Sequence, residues 1–213
     1  METTTREENV YSPPVADLRE PAQPVTADAE KAEFYPVSSR KFLVLYISTM
    51  GMYSLVWFYQ NWRRQSRFMT ERIRPAWRAI FQIFFTHKLF QRAGRRAREK
   101  GIRVKWTPNF LATLYVVLSI IDSGIARVTS SSTTFGMADV AGILLIPALM
   151  YPLFTVQKTL NEINRDPRGR MNDRFTPVNW FWIVVGMMLW GLIALGFAEP
   201  YMGEILKFMQ AYQ

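Results

Sequence analysis

Four stretches of this chain are apolar for longer than the core of a small water-soluble domain can hold. Phe42 to Tyr59, Phe110 to Ala126, Val140 to Val156 and Trp180 to Ala198 each run for 17 to 19 residues, and only the second contains a charged side chain, Asp122. At ~1.5 Å per residue, roughly 20 residues cross a hydrocarbon layer of about 30 Å, so each block has membrane length once its aromatic flanks are counted. A chain of 213 residues has too little remaining sequence to wrap four such helices. The expected fold is therefore an all-α membrane protein with about four hydrophobic helices, over residues 42–59, 108–128, 138–157 and 178–199 of a membrane domain spanning 36–213. Mean hydropathy near zero does not contradict this, because very polar segments offset the apolar blocks.

Residues 1–35 carry eight acids against three basic residues and are rich in Pro, Thr and Ala. Such a stretch cannot bury enough apolar area to offset its ordering entropy, so it reads as a disordered acidic tail. It has no cationic start, short apolar run or small-residue cleavage site, so it does not read as a removable signal peptide. Residues 60–107 form the opposite kind of segment: from Asn61 to Lys105 there are fourteen Lys and Arg against Glu71 and Glu99 alone. Within this connector Trp77, Ile80, Phe81, Ile83, Phe84 and Phe85 share one helical arc, with Pro75 suited to the first turn. That pattern predicts an amphipathic helix over about 75–93, lying on the membrane surface or docked on the other helices.

The charges also predict orientation. Leaving Arg127 within its span uncounted, four spans put nineteen Lys and Arg in the connector and the loop around Arg168 on one side, against six on the other, so the basic side is cytoplasmic. If the first block turned back at Gly51 instead of crossing, the tally would become twenty-four against one. A plain span is the expected arrangement, since a turn at membrane depth is tolerated only where protein or water satisfies its backbone. Thr107-Pro108 and Thr176-Pro177 mark the starts of the second and last blocks.

The run Phe34 to Leu43, followed by Thr49, Gly51, Tyr53, Trp57, Phe58 and Tyr59 within one hydrophobic segment, resembles the bacterial membrane proteins called domain of unknown function 4234. Pro75 to Phe85, the Asn161 and Asn164 pair, and Thr176 to Trp190 extend the likeness. The resemblance implies a multi-pass protein of a bacterial inner (cytoplasmic) membrane. That family has no assigned activity, so it carries no mechanism and no functional residues.

Little catalytic chemistry can be assembled. There is no cysteine, and one histidine, His87, has no acid near it in sequence to orient it. These supply neither a nucleophile with its base nor the usual zinc ligands, and no glycine-rich phosphate loop occurs. No cofactor or metal is expected. The exception is Asp122, about twelve residues into its block, where an ionised carboxylate costs ~2.5–3.5 kcal/mol on insertion scales. Such an acid faces the bundle interior, either as an ion or proton site or as a polar knot with Ser119 and Ser123. Pro147 and Pro152 could open backbone carbonyls toward the same interior.

Arg92, Arg95, Arg96 and Arg98 are the candidate contacts to anionic headgroups, which attract juxtamembrane cations by about 1 kcal/mol each. Lipid and topology account for them without nucleic acid. The sequence thus predicts a non-enzymatic membrane component whose basic face engages anionic lipid, a protein partner or a second copy of the chain. The alternative is a small transporter or channel subunit using Asp122.

Overall fold

The computed structural model describes residues 31–131 and 136–211, and those residues form helices and connections without a strand. Seven α-helices follow in order: α1 Ser39–Ser48, α2 Tyr53–Gln65, α3 Pro75–Ile80, α4 Gln82–Glu99, α5 Pro108–Ser130, α6 Met137–Ile163 and α7 Pro177–Ala211. Three of them, α5, α6 and α7 over Pro177–Ala198, are long and apolar enough to cross a membrane. The acidic tail up to residue 30 and the serine loop at 132–135 lie outside the described residues.

The Thr-Pro punctuation is where it should be, since Pro108 and Pro177 are the first residues of α5 and α7. At α7 the cap is reciprocal: the Asn179 N–H donates to the Thr176 hydroxyl and the Thr176 N–H to the Asn179 side-chain oxygen.

Residues 42–59, expected as one unbroken span, are instead divided between α1 and α2. Met50 and Gly51 adopt φ values of 51° and 83°, the left-handed region that ends a right-handed helix. The Gly51 N–H donates to the Tyr46 carbonyl and the Met50 N–H to that of Ile47. Thr49 joins the two helices, because its hydroxyl donates to the Leu45 carbonyl at 2.7 Å and accepts from the Tyr53 N–H at 3.0 Å. From outside, the Trp190 indole donates to the Ile47 carbonyl. The break thus meets the condition that made it unexpected, internal satisfaction of its backbone groups. α1 and α2 then run antiparallel: Phe42 packs edge-on to Tyr53, and at the open end Tyr35 reaches Asn61 and Gln65 reaches Glu33.

The amphipathic helix expected over about 75–93 is divided too. It bends at Phe81, and α4 continues to Glu99. α4 runs antiparallel along the first turns of α5, with His87 against Thr113, Gln91 against Asn109 and Gly94 against Pro108. Its docking face is Thr86, Leu89, Phe90, Ala93 and Ala97, which are buried, whereas Trp77, Ile80, Phe81 and Phe84 are 44–75 % exposed. The face with small residues permits close helix approach, and the bulky aromatic arc is left outward.

The core gathers at the basic end of the bundle, where Phe42, Trp57, Phe58, Trp62, Leu89, Phe90, Leu153, Val156 and Leu160 are buried. Only 6–17 % of each membrane-length window is buried, so the far halves of α5, α6 and α7 present apolar side chains outward. α7 meets the rest chiefly through α1. Their approach is backbone to backbone, since a Cβ at Gly186 would collide with the Ser48 carbonyl oxygen.

Gly51→Ala should cost about 1–2 kcal/mol, the penalty of a left-handed L-residue. Gly186→Val should cost more, because the obstacle there is backbone. Thermal unfolding of the detergent-solubilised variants checks the ranking.

Candidate functional site

The N-terminal segment Phe34 to Val37 is extended and buried, so its backbone groups need partners that no regular structure supplies. Side-chain amides supply them. Asn164 pairs with both the N–H and the carbonyl of Phe34, and Asn161 with both groups of Val37. Asn61 accepts from the Tyr35 N–H, Gln157 donates to the Tyr35 carbonyl, and Asn172 donates to that of Pro36. Gln157 also accepts the Trp57 indole N–H at 2.6 Å and donates to Asn161 at 2.7 Å. α2, α6 and the α6–α7 loop are thereby tied to one strand-like segment.

This clamp explains much of the family-like motif. Thr49 and Gly51 build the helix break, Trp57 anchors the amides, and Tyr53 and Phe58 are buried core, with Tyr59 packed beside it. Lys41, buried in the same corner, donates to Asn172 and to the Arg174 carbonyl at 2.6 and 2.7 Å. Burial lowers its pKa, and Asp173 works in the opposite direction.

A second feature is a cleft of about 350 Å³ among α2, α3 and α4. Arg78, Lys88, Arg92, Arg95 and Arg98 line it, with Glu71 as the sole acid of its wall. Three of the four arginines singled out in the sequence, Arg92, Arg95 and Arg98, therefore meet there. Arg96 does not. It faces the other side of α4, paired with Glu33 and Glu99 at 2.6 and 2.9 Å, and those hydrogen bonds raise its pKa.

The pKa of Arg92 is lowered, first by burial and then by Arg95 and Arg78, although its Nε–H has the Gln65 oxygen at 3.0 Å. Arg78 stacks over Trp62, its guanidinium carbon 4.4 Å from a ring centroid. Trp62 is itself fully buried in the cleft wall, and its indole N–H has no acceptor among the described residues. Crowded cations with a spare N–H donor are an arrangement that an anion would stabilise.

The third feature surrounds Asp122. The carboxylate lines a cleft of about 300 Å³ into which both helix breaks project, Met50 to Met52 from one and Ile80, Gln82 and Ile83 from the other. The polar knot with its serines does not form. The Ser119 hydroxyl donates to the Tyr115 carbonyl and that of Ser123 to the Ser119 carbonyl, each bonding back to its own helix.

His87 meets the Thr113 hydroxyl at 3.1 Å on the exposed side of α4, without a carboxylate to orient its ring among the described residues. No group of three or more His, Cys, Asp or Glu side chains could hold a metal among those residues.

The clamp was only partly legible. Gln157, Asn161 and Asn164 stand at helical spacing on one stripe of α6, a visible signal. What they bind, an extended segment over a hundred residues earlier, leaves no mark in local pattern. No family model, curated protein or solved structure matches this chain.

Asn161→Leu leaves both Val37 groups buried and unpaired and should cost roughly 2–5 kcal/mol, whereas Asn164→Ala, which water can partly replace, should cost about 1–2 kcal/mol. Thermal unfolding of the two purified variants measures the difference.

Proposed function

We propose that this is a multi-pass protein of a bacterial inner membrane that works by binding, and that its basic face engages anionic lipid through the cleft lined by Arg92, Arg95 and Arg98. The observation that carries the proposal is the five-cation cleft beside an unpartnered Trp62 indole N–H. The exposed Trp77, Ile80, Phe81 and Phe84 favour lipid over a soluble anion, since they offer apolar surface next to the cations. The bacterial membrane comes from the resemblance carried by Thr49 to Tyr59. A protein partner or a second copy of the chain is the competing occupant of this face, and nucleic acid is not needed to explain it.

In this reading α5, α6 and α7 cross the bilayer, and the α1–α2 hairpin re-enters from the basic side. Glu33 meets Arg96 and Lys100, while Lys41 meets Asn172 and Arg174. Residues 33–41 thus touch both basic connections, whereas a plain first span would separate them from the connector by a bilayer. The α3–α4 corner dips alongside, because α4 follows α5 inward from Pro108. Re-entry also leaves nearly every loop cation on one side, as the positive-inside rule favours.

The absence of native cysteine makes the topology testable with single cysteines. Cysteines at Lys31, Gly101 and Arg168 should be labelled from the cytoplasmic side and one at Ser131 from the opposite side. Labelling of residue 31 from the same side as 131 would restore the plain span.

For lipid, the full-length protein in micelles should bind phosphatidylglycerol in preference to phosphatidylcholine. At about 1 kcal/mol for each of three arginines, Arg92→Gln, Arg95→Gln and Arg98→Gln together should weaken that preference roughly a hundredfold. Equal affinity for the two lipids would sink the proposal.

A further inference from the structure

Asp122 stands where the two broken elements of the fold meet. The α1–α2 break brings Met50 to Met52 to its cleft, the α3–α4 bend brings Ile80 and Gln82, and α5 contributes the carboxylate. Asp122 lies fourteen residues beyond Pro108, about 21 Å along α5 at the ordinary helix rise, and so well within the bilayer when α5 spans it. Isolated charge at that depth is costly and needs a counter-charge, a proton or water. Among the described residues none of the ion pairs involves Asp122.

The rest of the cleft is apolar except for the side chains of Tyr46, Ser54, Gln82, Tyr115, Ser119 and Ser123, whose polar atoms are mainly oxygen. Gln82 donates weakly to the Ser54 hydroxyl at 3.5 Å, and its side-chain oxygen is buried without a partner. The Ser123 hydroxyl, having given its proton to a helix carbonyl, retains free lone pairs, while that of Ser119, also hydrogen-bonded to the Tyr115 phenol, keeps one. Tyr46 adds a phenol from α1. One carboxylate with an amide oxygen and hydroxyls suits a hard cation, for which the Met50 and Met52 thioethers are poor ligands, and the single carboxylate balances one positive charge. The end of α1 adds partial negative charge and the start of α2 partial positive charge, so the helix termini roughly cancel and the carboxylate decides the sign.

We propose that Asp122, with the Gln82 side-chain oxygen and the hydroxyls of Ser54, Ser119 and Ser123, forms a binding site for an alkali-metal cation at the junction of the two helix breaks. The site rests on α5 spanning the membrane but not on lipid binding at the basic face.

The test uses the full-length protein in detergent, melted in NaCl, KCl or choline chloride at equal ionic strength. A cation bound only by the folded state raises the melting temperature by mass action. The expected result is a shift of a few degrees, growing with Na+ or K+ concentration over choline, abolished in Asp122→Asn and requiring about five- to tenfold more ion in Gln82→Leu. Identical melting in the three salts, or an undiminished alkali-ion shift in Asp122→Asn, overturns the site. Should Asp122→Asn fail to fold, Gln82→Leu and Ser54→Ala decide it: an unchanged half-saturating concentration in both overturns the proposal. Lipid binding at the arginine cleft is read separately, so either idea can fail without the other.

Discussion

The structure depends on a requirement that water normally removes: backbone groups buried among apolar side chains must find partners inside the protein. A helix meets this by itself, but this chain ends two helices early and runs an extended segment through its core. At the first break Thr49 serves both helix ends with one hydroxyl, and Trp190 reaches over from α7 to the Ile47 carbonyl. Along Phe34 to Val37 the amides of Asn61, Gln157, Asn161, Asn164 and Asn172 act as a substitute for a neighbouring strand. Each amide carries both a donor and an acceptor, which is why Asn and Gln suit the task better than hydroxyls or charges.

That network fixes where the charges can go. The clamp holds residues 33–41 between the two basic connections, which draws Glu33 to Arg96 and Lys100 and leaves Arg92, Arg95 and Arg98 without acidic neighbours in equal number. One face of α4 is therefore neutralised within the protein and the adjacent face is not. Equal-looking arginines separated by one residue thus acquire different roles, since a helix turns about 100° between neighbours.

The same division shapes the apolar half. With the core gathered at the basic end, α5 and α6 pack along each other while α7 leans on α1, and most side chains of all three face outward, as lipid would allow and water would not. The two early breaks meet beside Asp122, so the polar content of the apolar layer is concentrated in one place.

The sequence by itself determined the helical class, the three long apolar helices, two of them with Thr-Pro starts, the surplus of cations in the connections and the single acid within the apolar block of α5. These are local properties, written in period, length and composition. It suggested Gly51 as a turning point, but hydrophobicity could not choose between crossing and turning, because either course keeps residues 42–59 apolar. What tertiary structure adds is the helix break itself, held by partners far away in sequence: Trp190 for the break, Asn161 and Asn164 for the segment that leads into it. It also set which face of the amphipathic segment docks, a choice the sequence left open, since Ala93, Gly94 and Ala97 let α4 approach α5 more closely than the aromatic arc could. Packing distance, not hydrophobicity, set which side of that helix turned inward.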